Sequence, residues 1–353
     1  MAERQSAWED VAPPPPRLAW PSSWDGRIWT PFDSSSRRPG SSGDRPSIRF
    51  EVAGPRQGCS QFARSLALAD ALEPWADVSF SVINPGDPRL SGSVGTAPSD
   101  RAPDAVIIDT PNECERERLV AAARDGRAFV VVVTDGRTEV DADVIICPGP
   151  QRPETIAGIE GGACTLAGPS FAMVHPAFVP RRAAPTSIRR AAVALGERTA
   201  AEALRPVLDG LLRQEIEVDV LLQAGPDLPR FPSGVNVYVP RQAEIAARVI
   251  ASADIAIVSP GSASLETLAT ATPMGVIAES EGDAEVAECY ERLGAGVSLG
   301  LAADLHAYDL DDLVIRLSDD GSAHLERQHQ VGVLCDASNG RHRVSNSLKA
   351  ALA

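Results

Sequence analysis

The sequence predicts an α/β fold made of two doubly wound, Rossmann-like units that face a cleft. Short apolar runs alternate with amphipathic segments from residue 47 onwards, an order typical of a parallel sheet covered by helices. The alternation breaks at 176–190, where three prolines and an arginine cluster occur, and then restarts. At 353 residues, the chain is long enough for two domains of about 150 residues each.

The predicted division has five parts. They are a leader at 1–46, a first domain at 47–179, a linker at 180–190, a second domain at 191–345 and a terminal helix at 346–353. The leader is rich in Pro, Ser and Arg and lacks periodicity, which indicates a mostly irregular segment. Its aromatic residues Trp20, Trp24, Trp29 and Phe32 either pack on the first domain, bind a partner or belong to a disordered tail.

In the first unit, the apolar run AFVVVV at 128–133 indicates a strand buried on both faces, as in a parallel sheet. The spacing of Phe62, Leu66, Ala69 and Leu72 predicts a helix over 62–72. The other predicted elements of this unit are strands at 48–53, 78–83, 105–108, 144–147 and 164–167 and a helix at 115–124.

The second unit repeats the alternation without a strong sequence repeat. Its predicted strands are 191–195, 218–223, 235–239, 255–258 and 274–278. Its predicted helices are 200–214, 242–251, 264–271, 284–293 and 311–317, followed by a last helix near 344–353.

Composition excludes several classes of function. The net charge of −15 argues against binding to nucleic acid or to an anionic membrane. Six scattered cysteines without a CxxC pair predict reduced thiols in a cytoplasmic protein and no zinc site. His324 and His329 do not share a helix face, so no metal is expected. The sequence shows neither a signal peptide nor an apolar run of membrane-spanning length.

The most informative stretch is 254–277, where an apolar strand runs into Pro260–Gly261–Ser262 and then a helix that carries Glu266 in its first turn. A helix that opens from a glycine turn after a parallel strand binds anions through its free N–H groups and its dipole. A carboxylate one turn into the helix can accept hydrogen bonds from ribose hydroxyls. The stretch therefore favours a nucleotide, and the alternative is an ordinary βαβ turn.

Several motifs occur in an order that resembles a known family. In the second half they are the segments at 195–197, 235–239, 242–251, 253–254, 261–266, 283–284, 293–296 and 336–344. In the first half they are GCSQFAR at 58–64, and LAGPSF at 166–171 followed by Phe178. The chain thereby resembles nucleotide-sugar enzymes of the GT-B fold. It is most similar to the UDP-sugar hydrolase of pseudaminic acid biosynthesis, itself related to the N-acetylglucosaminyltransferase that forms lipid II.

The resemblance implies a UDP-sugar in the cleft as co-substrate, a small-molecule acceptor and no other cofactor. Backbone N–H groups of Gly261, Ser262 and Ala263 would bind the diphosphate, which Gly196 lets the chain approach. Glu266 would bind ribose, Val239 the base through its backbone, and Asp283 would replace the family's Asn-Gln beside the sugar. On the opposite wall, Gly58, Ser60 and Arg64, in the glycine loop and the first helix, would also bind the nucleotide sugar.

The resemblance fails at Gln61, which stands where the hydrolase has a histidine that activates water. An amide can orient a nucleophile but cannot act as a base near neutral pH. Asp109 ends a strand at the sheet's carboxyl edge and is either a base or a helix N-cap, and Asp135 has the same alternatives. His175 is either an alternative base or merely exposed, and Arg64 is either structural or neutralises phosphate.

Three functions follow from these residues. The first is a glycosyltransferase of secondary or cell-surface sugar metabolism, with a cytosylglucuronic acid synthase as one specific version. The second is a UDP-sugar hydrolase that uses a base other than histidine. The third is a non-catalytic protein that binds nucleotide sugars. Loss of the histidine at Gln61 favours the first.

Overall fold

The computed structural model describes residues 45–53, 59–83, 102–135, 140–150, 163–181, 183–222, 231–239, 242–318 and 323–353. Nearly all of the predicted leader, with its aromatic residues, lies outside the described residues, and so does Gly58. Within the described ranges the chain forms two six-stranded parallel sheets with helices between the strands. The predicted class, two Rossmann-like α/β units, is confirmed.

The first sheet contains β1 Ser47–Ala53, β2 Asp77–Ile83, β3 Ala105–Asp109, β4 Phe129–Val133, β5 Val144–Cys147 and β6 Cys164–Ala167. Their order across the sheet is β2-β1-β3-β4-β5-β6. Helix α1 spans Cys59–Leu72 and α2 spans Glu113–Asp125. Every residue of β3 and β4 is buried, and all of them except Asp109 are apolar and pack on the two faces of the sheet.

The second sheet contains β7 Arg190–Ala194, β8 Glu217–Leu221, β9 Val235–Tyr238, β10 Ile255–Val258, β11 Met274–Ala278 and β12 Val297–Leu301. Their order is β12-β11-β10-β7-β8-β9. The helices here are α3 Glu197–Arg213, α4 Ala243–Ser252, α5 Ser262–Ala269, α6 Glu281–Leu293 and α7 Ala307–Ser318. No helix in the described ranges has the length and apolarity that crossing a bilayer requires.

Two further helices close the chain, α8 Ala323–Cys335 and α9 Gly340–Leu352. Helix α9 returns to the first domain, where Val344 and Leu348 join the core beneath the first sheet. Trp75 Nε1 donates to Ser345 Oγ at 2.9 Å, and Ser345 Oγ donates to the carbonyl of Ala71 at 2.7 Å. The end of the chain therefore ties the second domain to the first.

Strand β12 and helix α8 were absent from the sequence-based prediction. Strand β12 is an edge strand that is mostly half-buried and carries Gly300 at φ +77°, so it lacks the uniform apolar pattern of the other strands. Helix α8 buries polar groups: Gln328 Oε1 accepts from the N–H of Met274 at 2.9 Å, and His329 Nδ1 lies 2.9 Å from the carbonyl of Ala271. Satisfied polar residues on an inner face hide the helical period from a hydrophobicity pattern.

Each sheet has one point where the strand order reverses. In the first sheet it lies between β1 and β3, and in the second between β7 and β10. The loops that leave the two strands diverge there and open a crevice at the carboxyl edge, where ligands of such sheets bind. We call these the first-sheet crevice, bounded by α1 and Asp109, and the second-sheet crevice, bounded by Gly196 and 259–261.

Candidate functional site

A cavity of about 480 Å³ opens between the two domains. Its first-domain wall is mostly apolar and comprises Ala63, Leu66, Pro148, Met173 and Val174, together with Arg64 and His175. Its second-domain wall comprises Gln242, Ala243, Glu244, Ser262, Leu265 and Glu266. The cavity thus joins helix α1 of the first-sheet crevice to helix α5 of the second-sheet crevice.

Helix α5 presents its N-terminus to this cavity through Ser262. The preceding Gly261 has φ +106°, a left-handed conformation that strains any residue with a Cβ. A Cβ placed at Gly261 would meet nothing within 4 Å, so the space beside the turn is open. Gly261 has no side chain to cap this helix, and within the described residues its first N–H groups and positive dipole end are available to an anion.

Helix α3 brings a second N-terminus to the second-sheet crevice. Its N-cap, Gly196, also lacks a side-chain cap, and its N–H donates to Ser259 Oγ at 3.0 Å. That bond joins the loops that follow β7 and β10. Below them, the fully buried Thr199 hydroxyl has no hydrogen-bond partner in the described part of the chain. The sequence predicted Gly196 and the 261–263 turn as parts of one diphosphate site. In the structure they lie at the N-termini of α3 and α5, and both N-termini face the second-sheet crevice.

Glu266 lies one turn into α5 and lines the cavity. Part of its surface is open to the cavity, while protein encloses the rest. Burial raises the pKa of its carboxyl to about 8. A ligand that donates hydrogen bonds to the carboxylate would favour its ionised form and lower this pKa.

The first-sheet crevice is built from charged side chains. Arg64 donates from Nε and Nη2 to the two oxygens of Asp109, each at 2.7 Å, and from Nη1 to Asp135. Ser65 Oγ adds a bond to Asp109 at 3.2 Å. Asp109 is fully buried, whereas the Asp135 side chain is 50% exposed. One guanidinium thus holds two carboxylates, and the three groups together carry a charge of −1.

The pKa shifts of this cluster follow from burial and charge. Burial raises the pKa of Asp109, and the Arg64 guanidinium opposes that rise. For Arg64, burial alone would lower the pKa, but the two carboxylates raise it well above its ordinary value. Arg64 therefore stays charged, and Asp109 accepts from it as a bidentate carboxylate partner.

The N-cap alternative for Asp109 is wrong. Helix α2 is capped by Asn112, whose side chain accepts from the N–H of Glu115 at 2.9 Å. Asp109 instead positions Arg64, and catalysis by Asp109 stays a prediction. Gln61, also a predicted catalytic residue, is buried in the first turn of α1, which begins three residues before the predicted start.

The remaining predicted ligand residues lie around the second-sheet crevice and the glycine loop. Val239 follows β9 and is half-buried. Asp283 lies in the first turn of α6, where its N–H donates to Ser280 Oγ at 3.2 Å and its carboxylate accepts from the same hydroxyl at 2.8 Å. This reciprocal capping gives Asp283 a structural role. Ser60 lies at the start of α1, next to the glycine loop that ends outside the described residues.

Sequence reasoning missed part of the cavity wall. Gln242 and Glu244, at the start of α4, and Leu66, 40% exposed on α1, line the cavity, although the sequence placed them only in predicted helices and assigned them no ligand role. Their position depends on how the two domains pack, a contact that no local pattern encodes.

No protein-family model matches this chain, and no curated protein matches it. Solved structures define the class of fold: two Rossmann-like domains around a cleft, the GT-B arrangement.

The spinosyn forosaminyltransferase SpnP matches with a TM-score of 0.63 and 17% identity, covering 86% of this chain and 99% of its own. The glycotransferase of kitacinnamycin matches with a TM-score of 0.61 and 14% identity, covering 88% of this chain and 100% of its own. A UDP-GlcNAc 2-epimerase from Neisseria meningitidis, bound to UDP-GlcNAc, matches with a TM-score of 0.58 and 10% identity, covering 86% of this chain and 100% of its own. Identities this low establish the shared fold alone.

Proposed function

We propose that this protein is a glycosyltransferase that moves a sugar from a nucleotide-sugar donor, most simply a UDP-sugar, to a small-molecule acceptor. One arrangement carries the proposal: two helix N-termini without side-chain caps leave the second-sheet crevice, and Glu266 stands beside one of them in the interdomain cavity. This is an anion site with a polar group suited to ribose. Transferases with nucleotide-sugar donors also occur among proteins of this fold.

In the proposed reaction, an acceptor oxygen or nitrogen attacks the anomeric carbon as the bond to the diphosphate breaks. The leaving diphosphate gains negative charge, which the N-termini of α3 and α5 stabilise. The donor's nucleotide lies on the second domain, with ribose at Glu266 and the base at the backbone of Val239. The acceptor lies on the mostly apolar first-domain wall.

The acceptor must lose a proton. Gln61 cannot take it, and Asp109 is fully buried with both oxygens held by Arg64. Asp135 is half exposed at the end of a neighbouring strand, and the same Arg64, a cavity-lining residue, orients it. We assign the general base to Asp135.

Asp135→Asn is expected to lower kcat about 100- to 10,000-fold while donor binding stays unchanged. Asp141→Asn, at an 80% exposed carboxylate paired with Arg124, is the matched control.

The proposal includes a more specific enzyme type and a more specific reaction. Kinship with the pseudaminic-acid type of UDP-sugar enzyme rests on the motif order from 58 to 344. A cytosylglucuronic acid synthase activity is tested by supplying UDP-glucuronic acid with cytosine and looking for the nucleoside product. If that product is absent but the protein transfers sugar to another acceptor, the cytosylglucuronic acid synthase activity is excluded and the glycosyltransferase proposal stands.

Binding and product analysis test the proposal. A thermal-shift screen with UDP-, TDP- and GDP-sugars should raise the melting temperature for one nucleotide, since a ligand at 100 times its Kd adds about 2.7 kcal/mol of stability. Failure of every nucleotide sugar to bind, by calorimetry as well, contradicts the proposal. Release of UDP without any acceptor would show a hydrolase, and an isomerised donor would show an epimerase.

A further inference from the structure

We propose that His175 donates a hydrogen bond from Nε2 to the diphosphate of the donor and stabilises it as the leaving group. This inference rests on the proposed function. It assigns the residue a role as N–H donor, where the sequence offered only a base or an exposed side chain.

The position of His175 is set by the segment that joins the two domains. His175 lines the cavity together with Ser262 and Glu266 of α5, the helix whose N-terminus forms the anion site. Its backbone is held on both sides: the carbonyl of Val174 accepts from Arg341 Nη1 at 3.3 Å, and the carbonyl of His175 accepts from the N–H of Phe178 at 3.0 Å. A fixed chain segment thus holds His175 at the wall of the cavity that α5 also lines.

The tautomer of His175 follows from its own turn. The N–H of Ala177 donates to His175 Nδ1 at 3.2 Å, so Nδ1 carries a lone pair. A neutral ring with an unprotonated Nδ1 carries its proton on Nε2. In this tautomer Nε2 has no lone pair to accept a proton from an acceptor. The neutral ring can donate from Nε2, but it is not arranged as a general base.

The charge of the cavity supplies the second reason. Of the described residues on its first-domain wall, only Arg64 and His175 have side-chain N–H donors, and Arg64 is the cation. Each nitrogen of Arg64 already donates to a carboxylate, and the two aspartates exceed its charge. A diphosphate that approaches the first-domain wall therefore finds its free N–H donor at His175.

The step balances without a cofactor. The bond from the anomeric carbon to the diphosphate oxygen breaks, and its electron pair stays on that oxygen. The acceptor forms the new bond to the carbon, and its proton goes to the base. His175 keeps its proton throughout and strengthens its hydrogen bond as the diphosphate gains charge.

Calorimetry with UDP and with uridine tests the proposal, because uridine lacks the phosphates. His175→Ala should weaken UDP binding about 10- to 150-fold, the range for a hydrogen bond to a charged group, and leave uridine binding unchanged. His175→Gln, which retains an N–H donor, should recover part of the loss. His306→Ala, at an exposed histidine outside the cavity wall, is the control and should bind both ligands like the wild type.

Two results would overturn the inference while the proposed function stands. They are wild-type UDP affinity in His175→Ala, and a parallel loss of uridine affinity, which would indicate a structural role. Failure of the wild-type protein to bind UDP or UDP-sugars would instead overturn the proposed function. An NMR spectrum of the ring nitrogens gives an independent check on the free protein: the proton of His175 should be on Nε2, and a proton on Nδ1 alone would refute the proposal.

Discussion

The two crevices of this molecule have the same topology but opposite chemistry. The second-sheet crevice is lined by backbone: Gly196, the Gly261 turn and two helix N-termini. The first-sheet crevice is lined by side-chain charges, with Arg64 between Asp109 and Asp135. Backbone N–H groups bind an anion without a formal charge that must be desolvated, whereas a buried guanidinium needs carboxylates around it. The same fold thus presents backbone N–H groups at one crevice, where we propose the anion site, and an acidic cluster at the other.

Loss of the guanidinium tests the first-sheet crevice most severely. Arg64→Met should lower the free energy of unfolding by about 3–5 kcal/mol, because Asp109 is left buried without its partner. Denaturant unfolding measures the effect. The matched control is Arg316→Met, which breaks an exposed pair with Glu291 at 3.0 Å and should cost about 0–1 kcal/mol. Equal costs for the two variants would mean that Asp109 is not held as a buried ion.

The pH dependence of nucleoside binding tests the second-sheet crevice. Burial raises the pKa of Glu266 to about 8, and in the proposed function ribose hydroxyls bind the ionised carboxylate. Uridine affinity should therefore rise about tenfold per pH unit from pH 6 to 8 and level off above. Calorimetry in buffers of different ionisation enthalpy should show a proton released on binding. In Glu266→Gln the dependence should vanish, and a dependence that persists would place the titrating group elsewhere.

The same shift has a consequence for folding. Glu266 titrates near 4.5 when unfolded and near 8 when folded, so between these values the folded state binds more protons. Its contribution to stability is present below pH 4.5 and decreases as pH rises towards 8. The stability of Glu266→Gln relative to the wild type should therefore increase over that window.

Alanine substitutions at two glycines can distinguish the effect of backbone strain from an effect on ligand binding. Gly261 and Gly300 have φ of +106° and +77°, and a Cβ at either meets nothing within 4 Å. Alanine at each should cost about 1 kcal/mol of stability through strain alone. UDP affinity should fall about tenfold, equivalent to 1.4 kcal/mol, for Gly261→Ala and stay constant for Gly300→Ala. A similar affinity in both variants would remove the Gly261 turn from the anion site.

The sequence predicted the strands in which every side chain is apolar and buried. It missed elements whose buried faces include polar residues or whose side chains are only partly buried. Strands such as Phe129–Val133 and Ile255–Val258 are apolar throughout, and their pattern suffices. The prediction missed helix Ala323–Cys335 because the polar residues Gln328 and His329 interrupt the apolar pattern of its buried face.

The candidate site divides in a similar way. The Gly261–Glu266 turn is local and could be predicted. The Arg64–Asp109 pair joins residues 45 positions apart and arises because β1 and β3 are neighbours in the sheet. The tautomer of His175 depends on the N–H of Ala177, a contact that follows from the conformation of one turn.

The smallest expected effect concerns the bond that joins the two loops of the second-sheet crevice. Ser259→Ala removes the acceptor of the Gly196 N–H, a bond of 3.0 Å, and should cost about 1 kcal/mol of stability. Ser252→Ala, which removes a local bond to the carbonyl of Val249 on an exposed helix end, is the control and should change little. If backbone placement governs the anion site, Ser259→Ala should also weaken UDP binding, by a few-fold, since the start of α3 is no longer held to the loop after β10. The contrary result would be an unchanged UDP affinity in Ser259→Ala although its stability falls by the predicted amount. It would show that α3 contributes to the fold and that the Gly261 turn binds the anion alone.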